Sequence, residues 1–280
     1  GDGALQQQQF NSVLSQGATV IVLDPVDSAA AGGLVNVAHS RGAKVVAYDR
    51  PIPDTAADYY ISFDNEGLGH AIAASLVQHL KATNVPAGSG ILEVNGSPTD
   101  AAAGLVRNGV HKALSGSGYK TLAEYDTPDW APPKAQQWTG GQITRFGSAI
   151  KGVVAGNDGT AGGVIAAFKA AGVTPIPPVT GNDATIAALQ LIIVGDQYNT
   201  ISKPSDLVAT AAAKVAEQFL NGQAPAAKTT LYNTPSELFV PAVITAENIK
   251  AEIFDKGIEK PEAVCTGNYA DGCKKLGIIK

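Results

Sequence analysis

Residues 18–50 read ATVIVLDPVDSAAAGGLVNVAHSRGAKVVAYDR, and this stretch decides the fold. A short β-branched run, Ala18–Leu23, is followed by a small-residue amphipathic stretch, Ser28–Ser40, and by a second β-branched run, Lys44–Tyr48. Strand, helix and strand at this spacing predict a βαβ unit, whose crossover makes the two strands parallel. Gly42 stands where a helix-ending glycine belongs. Both runs end on polar residues, Asp24 and Asp49-Arg50. In open α/β sheets ligands sit outside the carboxyl ends of the strands, so these positions are candidates for binding.

The same alternation extends outward. Strands are predicted at Tyr59–Phe63, Gly90–Val94, Tyr119–Tyr125, Gly152–Ala155, near Pro178–Thr180 and at Tyr198–Ile201. Helices are predicted over Glu66–Lys81, Ala101–Leu114, Lys134–Phe146, Gly159–Ala171, Ala184–Val194 and Ser205–Leu220. The last sixty or so residues, rich in Pro, Asn and Thr, read as crossing and trimming segments. So many units favour two doubly wound lobes over one open sheet.

Composition excludes several classes. The chain has 280 residues, 45% hydrophobic, 16% charged and with net charge −5, and it has no long Lys/Arg cluster, which argues against a nucleic-acid partner. No apolar run approaches a membrane span. Asn157-Asp158-Gly159-Thr160-Ala161-Gly162-Gly163 lacks the Gly-Lys-Ser/Thr ending of a phosphate loop, and no Gly-x-Gly-x-x-Gly follows an early strand, so no nucleotide cofactor is expected. The histidines, His39, His70, His79 and His111, are scattered without metal-ligand spacing, and no metal site is expected. Cys265 and Cys273 are either two free thiols or one small disulfide loop, the latter implying an oxidising compartment.

Further polar residues follow the other predicted strands: Asp64-Asn65, Asn95, Asp126 to Trp130, Asn157-Asp158 and Asn182-Asp183. Together they read as one polar cleft, although Asp and Asn in such places also cap the next helix. Carboxylates, amides and a guanidinium can satisfy sugar hydroxyls, each of which donates and accepts. Trp130, among Pro128, Asp129, Pro132 and Pro133, reads as a loop residue offering a flat apolar face for a pyranose. Trp138, inside an amphipathic run, reads as core. Asp49 and Asp183 could in principle flank a glycosidic bond, but nothing in the sequence sets their separation, so no catalytic residue is assigned.

Taken in order, these residues resemble the periplasmic xylose-binding proteins, sugar-binding components of bacterial ABC transporters. The likeness runs through Gln6–Gln9, Val20–Asp27, Ala47–Arg50, Tyr60–Glu66, Asn95–Asp100, Asp129-Trp130, Asn157–Gly163, Gly181–Ala184 and Lys203-Pro204. It implies a type I periplasmic-binding-protein fold: two Rossmann-like, doubly wound lobes with three hinge crossovers. Expected boundaries are 1–63 with 200–238 for the first lobe and 64–199 with 239–280 for the second. Crossovers are expected at Asp64, Tyr198–Ile201 and Phe239–Val243. Matching the family residue by residue puts sugar contacts at Asp49, Arg50, Trp130, Asn157, Asp183 and Lys203. The expected partners are a monosaccharide, xylose or a related aldopentose or aldohexose, an ABC permease, and a chemoreceptor, outside the cytoplasm.

Two departures stand out. Ala101-Ala102 replaces an Asn pair of the family, one of which contacts sugar. Family members also carry a β-α-β segment ahead of the part matching Gly1, so the first lobe is expected to lack that opening and to leave a strand edge that either a preceding N-terminal segment covers or a rearranged lobe avoids. Two other functions share parts of this reading: the effector core of a lac-repressor-type regulator, and a sugar-processing enzyme.

Overall fold

A computed structural model describes residues 1–280. Helix α1 (Gly3–Ser15) comes first, capped by Asp2, whose Oδ1 accepts from Leu5 N at 2.9 Å. Then follow β1 (Val20–Leu23), α2 (Ala31–Ser40), β2 (Lys44–Tyr48), β3 (Tyr59–Phe63), α3 (Asn65–Ala82), β4 (Gly90–Asn95) and α4 (Ala101–Leu114). The middle of the chain forms β5 (Lys120–Asp126), α5 (Pro132–Phe146), β6 (Ile150–Ala155), α6 (Asp158–Ala170) and α7 (Ile186–Val194). It ends with β7 (Asn199–Ser202), α8 (Ser205–Leu220), β8 (Thr229–Leu231), β9 (Thr234–Phe239), β10 (Ala242–Thr245), α9 (Pro261–Val264) and α10 (Ala270–Lys275).

The chain divides into two compact units. The first comprises Gly1–Asn65, Pro98–Gly104 and Pro204–Val240, and the second Glu66–Ser97, Leu105–Lys203 and Pro241–Lys280. Pro98–Gly104 belongs with the first because Ser28 N donates to Thr99 O at 3.0 Å and Ala101 N donates to Ser28 Oγ at 3.1 Å.

In the first unit the sheet order is β1-β2-β3-β9-β8, parallel except for the antiparallel β8. Phe10, Leu14, Leu34, Val35 and Val45 pack on one face with α1 and α2. Val46, Tyr59, Ile61 and Phe63 meet Val208, Ala212 and Val215 of α8 on the other. A strand buried on both faces reads as a nearly continuous apolar run, and every residue of β3 is buried, the one aliphatic hydroxyl, Ser62, donating to Asp49 O. Gly42 has φ +74° and closes α2: Gly42 N donates to His39 O and Ala43 N to Ala38 O, each at 3.0 Å.

The second unit holds a parallel β5-β4-β6 sheet. Val179 bridges to Val153 of β6, and Tyr198 N donates to Val179 O at 2.8 Å. Antiparallel β7-β10 is a separate ladder. Leu92, Val94 and Val153 pack under α5 and α6, while Leu68, Ile72, Leu76, Ile91 and Val106 form the core toward α3 and α4. Helices α3 and α4 touch backbone to backbone: a Cβ on Gly69 would lie 1.9 Å from Val106 O, and one on Gly109 2.0 Å from Glu66 O.

Several sequence-based boundaries move. No strand forms at Pro178–Thr180 beyond the single bridge at Val179. Helix α7 starts at Ile186 rather than Ala184, because Asp183 and Ala184 have φ of 111° and 50° and Thr185 is the cap. Helix α2 starts at Ala31 because Asp27 Oδ1 accepts from Ala29 N and Ala30 N, holding Ser28–Ala30 in a preceding turn. The helix α1 and strands β8 to β10 were not legible as elements. No helix is long and apolar enough to cross a membrane.

Candidate functional site

The candidate residues fall into two groups, one in each unit. In the first unit, Asp49 leaves β2 with φ 60°, a left-handed conformation uncommon outside glycine and asparagine. The turn is held from β3: Asp49 N donates to Ile61 O at 2.9 Å, and Asp49 O accepts from the hydroxyls of Tyr60 and Ser62, each at 2.8 Å. Arg50 follows. Its Nε lies 3.2 Å from Asp100 Oδ2 and 3.8 Å from Asp24 Oδ1, and its Nη1 donates to the carbonyls of Pro25 and Val26 at 3.3 and 3.4 Å. Asp100 is also the side chain that accepts from Ala102 N at 2.8 Å at the start of α4.

This cluster carries more carboxylates than cations. Asp24 keeps 54% of its side-chain surface in water, yet desolvation by the surrounding protein, then repulsion by Asp49 and Asp100, push its carboxyl up to about 6 against the pull of Arg50. The sequence reading missed Asp100 as the partner of Arg50. The Ser-Pro-Thr-Asp ahead of a helix was the available signal, but it reads equally as a cap.

In the second unit, Trp130 sits in the tight turn Pro128–Trp130 between β5 and α5, where Asp129 and Trp130 have φ of 60° and 55°. Trp130 N donates to Thr127 O at 3.0 Å, and Asp129 N donates to Ser97 Oγ at 3.2 Å. The indole lies on the carboxyl ends of β4 and β6. A Cβ on Gly96 would meet Cη2 and Cζ2 of Trp130 at 2.1 Å, and one on Gly156 would meet Cζ3 at 3.3 Å. Both glycines directly follow their strands, so the ring has a floor of backbone that a sequence reading centred on polar groups passed over. Trp138 instead stacks on Tyr125, with ring centroids 5.3 Å apart, in the core under α5.

Asn157 serves as a cap. Its Oδ1 accepts from Thr160 N at 2.9 Å and from Thr160 Oγ1 at 2.9 Å, leaving Nδ2 as the group available to a ligand. Asp158, its neighbour, is structural: buried at 5% exposure, it accepts from Thr185 N, Thr185 Oγ1, Gln197 Nε2 and Thr200 Oγ1 at 2.8–3.1 Å. Desolvation outweighs those bonds and pushes its carboxyl up to about 6.

Asp183 and Lys203 meet each other, Nζ to Oδ1 at 2.9 Å. Asp183 N also donates to Ile201 O at 3.0 Å, which fixes the loop that carries the carboxylate. Asn95 turns away, donating to Glu124 and Asp126 at 2.8 and 3.3 Å. A cavity of about 340 Å³ in the same unit, lined by His79, Tyr198, Asp196 and Glu247, includes none of the candidate residues. Near the end of the chain Cys265 and Cys273 are joined in a disulfide, Cα to Cα 5.9 Å.

The two groups offer hydrogen-bond donors, acceptors and one flat apolar face. Comparison with known proteins shows the family. A description of the periplasmic binding protein domain matches residues 1–224. The chain is 37% identical over 268 residues to the D-xylose-binding periplasmic protein of Escherichia coli K12, covering 93% of this chain and 79% of that protein. It is 27% identical to the multiple sugar-binding periplasmic receptor of Rhizobium radiobacter, covering 92% of this chain and 79% of that one. Among solved structures, an ABC transporter solute binding protein from Clostridium phytofermentans with bound β-D-glucose matches with a TM-score of 0.85 at 26% identity, covering 94% of this chain and 87% of that one. Parallel sheets clad by helices in each unit, with a family match that takes in residues 1–224, place this chain in the periplasmic binding protein family, with the type I fold.

Proposed function

We propose that this chain is the extracytoplasmic solute-binding component of an ABC importer, binding xylose or a related aldopentose or aldohexose, delivering it to a membrane permease and catalysing no reaction. The residues assigned to sugar contact are Asp49 and Arg50 in the first unit and Trp130, Asn157, Asp183 and Lys203 in the second. The observation that carries this reading is the Trp130 indole seated on Gly96 and Gly156, a flat apolar face beside polar loops at the carboxyl ends of β4 and β6. The sugar-binding names of the relatives support it. The disulfide supports a location in an oxidising compartment.

Ala101 and Ala102 bring no side-chain amide; their backbone N–H groups go to Ser28 Oγ and Asp100 Oδ1. A hydroxyl that an amide would have served must bind another group or water, which changes the ranking among sugars. Calorimetric titration with xylose, glucose, arabinose, ribose and galactose tests the proposal. Saturable binding of at least one at one site per chain, weakened by Trp130→Ala, with the sugar recovered unchanged, is the expected result. No binding by any of the five, or conversion of the sugar, overturns it.

A further inference from the structure

Away from Trp130 and Asp183, the face of β4 and β5 that α4 covers carries an unusual polar cluster. In the parallel register Glu93 stands opposite Glu124, and Asn95 opposite Asp126. Like charges directly opposite on a sheet repel, and here one of them, Glu93, is only 1% exposed in the middle of a strand. The fourth side is closed from α4 by His111 and, one turn earlier, Arg107.

His111 Nε2 lies 3.2 Å from Glu93 Oε2 and 3.2 Å from Glu124 Oε1. One imidazole nitrogen carries one proton and cannot aim it at both oxygens. Glu93 Oε2 accordingly accepts no hydrogen bond although it is buried. The three ligand-type atoms lie within 4.8 Å of one another. In a tetrahedral site with ligands about 2.0–2.1 Å from the ion, neighbouring ligand atoms are about 3.3–3.4 Å apart, close to the two nitrogen-oxygen distances already present.

The surroundings orient these atoms. Thr121 Oγ1 donates to the other oxygen of Glu93, and Asn95 Nδ2 donates to Glu124 Oε1 at 2.8 Å. Outer hydrogen bonds of this kind fix carboxylate ligands. Arg107 Nη1 is bonded to Asp126 at 2.8 Å, and its Nε is 4.0 Å from Glu124. With a neutral imidazole, Glu93, Glu124 and Asp126 against Arg107 leave two negative charges, which a divalent cation balances.

We infer that Glu93, His111 and Glu124 form a three-ligand site for a divalent transition metal of the zinc type, with water completing the coordination. An imidazole donor and so few ligands favour Zn²⁺ over Ca²⁺ or Mg²⁺, which take six or more oxygens or keep most of their water. Bound there, the ion ties α4 to β4 and β5, and binding only the folded chain raises stability.

The test uses the full, non-reduced chain stripped of metal and titrated with Zn²⁺ alone, followed by calorimetry and thermal unfolding, with Co²⁺ as a spectroscopic probe. One ion per chain, a raised Tm, and the visible absorption of four-coordinate Co²⁺ are expected, with no such response to Ca²⁺ or Mg²⁺. His111→Gln and Glu124→Gln should each weaken Zn²⁺ binding about tenfold or more, while His39→Gln leaves it unchanged. With 46% of the His111 side chain exposed, His111→Gln should fold; if it does not, Glu124→Gln decides. Absence of stoichiometric Zn²⁺ binding, or Zn²⁺ binding equally tight in the folded variants, overturns the assignment.

Discussion

Arg50 in the first unit is held by charge, Trp130 in the second by shape. Arg50 is anchored by Asp100 and Asp24, with two carbonyls behind it. Trp130 is anchored by two glycines beneath its ring and by the turn that carries it. The difference teaches where a substitution will be felt. Removing a group from the charged cluster disturbs its neighbours as well as the ligand. Removing the indole leaves its glycine floor open, and its expected cost falls mainly on the proposed sugar contact.

The largest effect should come from Arg50→Ala. It takes the guanidinium away from Asp100, a carboxylate only 5% exposed, and breaking such a pair costs on the order of 3 kcal/mol. Urea unfolding should show that loss, and sugar affinity should fall with it. Arg50→Lys should restore part of the stability but less of the affinity, since a lysine offers one point charge in place of a planar fork. Unchanged unfolding in Arg50→Ala would show that charge does not hold the first unit's cluster together.

Asp183→Ala comes next, with affinity lower by about 1.5–3 kcal/mol, the range for hydrogen bonds to charged groups. The ion pair with Lys203 makes the effect non-additive. A double-mutant cycle with Lys203→Ala should therefore give a coupling of about 0.5–3 kcal/mol, and additive losses would mean that the two side chains act on the ligand separately.

A smaller loss is expected at the shelf. Trp130→Ala should remove stacking of about 0.5–1.5 kcal/mol beyond the buried area, with the unfolding transition nearly unmoved. Gly96→Val sharpens this, because its side chain enters the space of the indole and should weaken binding without removing the tryptophan. If Gly96→Val binds sugar as the parent does, the ring is not the ligand's platform.

How much of this was legible depended on whether local pattern or tertiary pairing shaped each piece. Strands β2 and β3 and helices α4 and α8 follow from uninterrupted patterns, and their ends match the reading to the residue. Strand β9 did not, since Thr234-Pro235-Ser236-Glu237 has no apolar run; it is a strand because β3 pairs with it. The start of α7 was misplaced because an alanine at positive φ has no sequence signature. Polar residues after strands were visible, but not which served a cap and which a ligand: Asn157 Oδ1 caps α6 while its Nδ2 does not. The Glu93, His111 and Glu124 cluster was invisible for a related reason. Histidines that look scattered acquire neighbours only when the register of β4 and β5 is set and α4 is laid across them.

The smallest expected effect is a slope with pH, and it compares the two units directly. Asp24 and Asp158 both have carboxyls pushed up to about 6, the first by desolvation and repulsion from Asp49 and Asp100, the second by desolvation against its four hydrogen bonds. An unfolded aspartate titrates near about 3.9. Each folded carboxyl thus holds its proton more tightly than the unfolded chain does. The stability each contributes is complete below about pH 4 and is lost as pH rises through about 6. Stability measured by urea unfolding should therefore gain from these groups as pH falls from about 7 to about 5. Asp158, almost wholly buried, should carry about 1 kcal/mol of that change. Asp24, with 54% of its side chain in water, should carry less because solvent screens it. Asp158→Asn should flatten the slope more than Asp24→Asn. Equal flattening by both would mean that water around Asp24 does not screen its shift, and a slope untouched by either would remove both residues from the pH response.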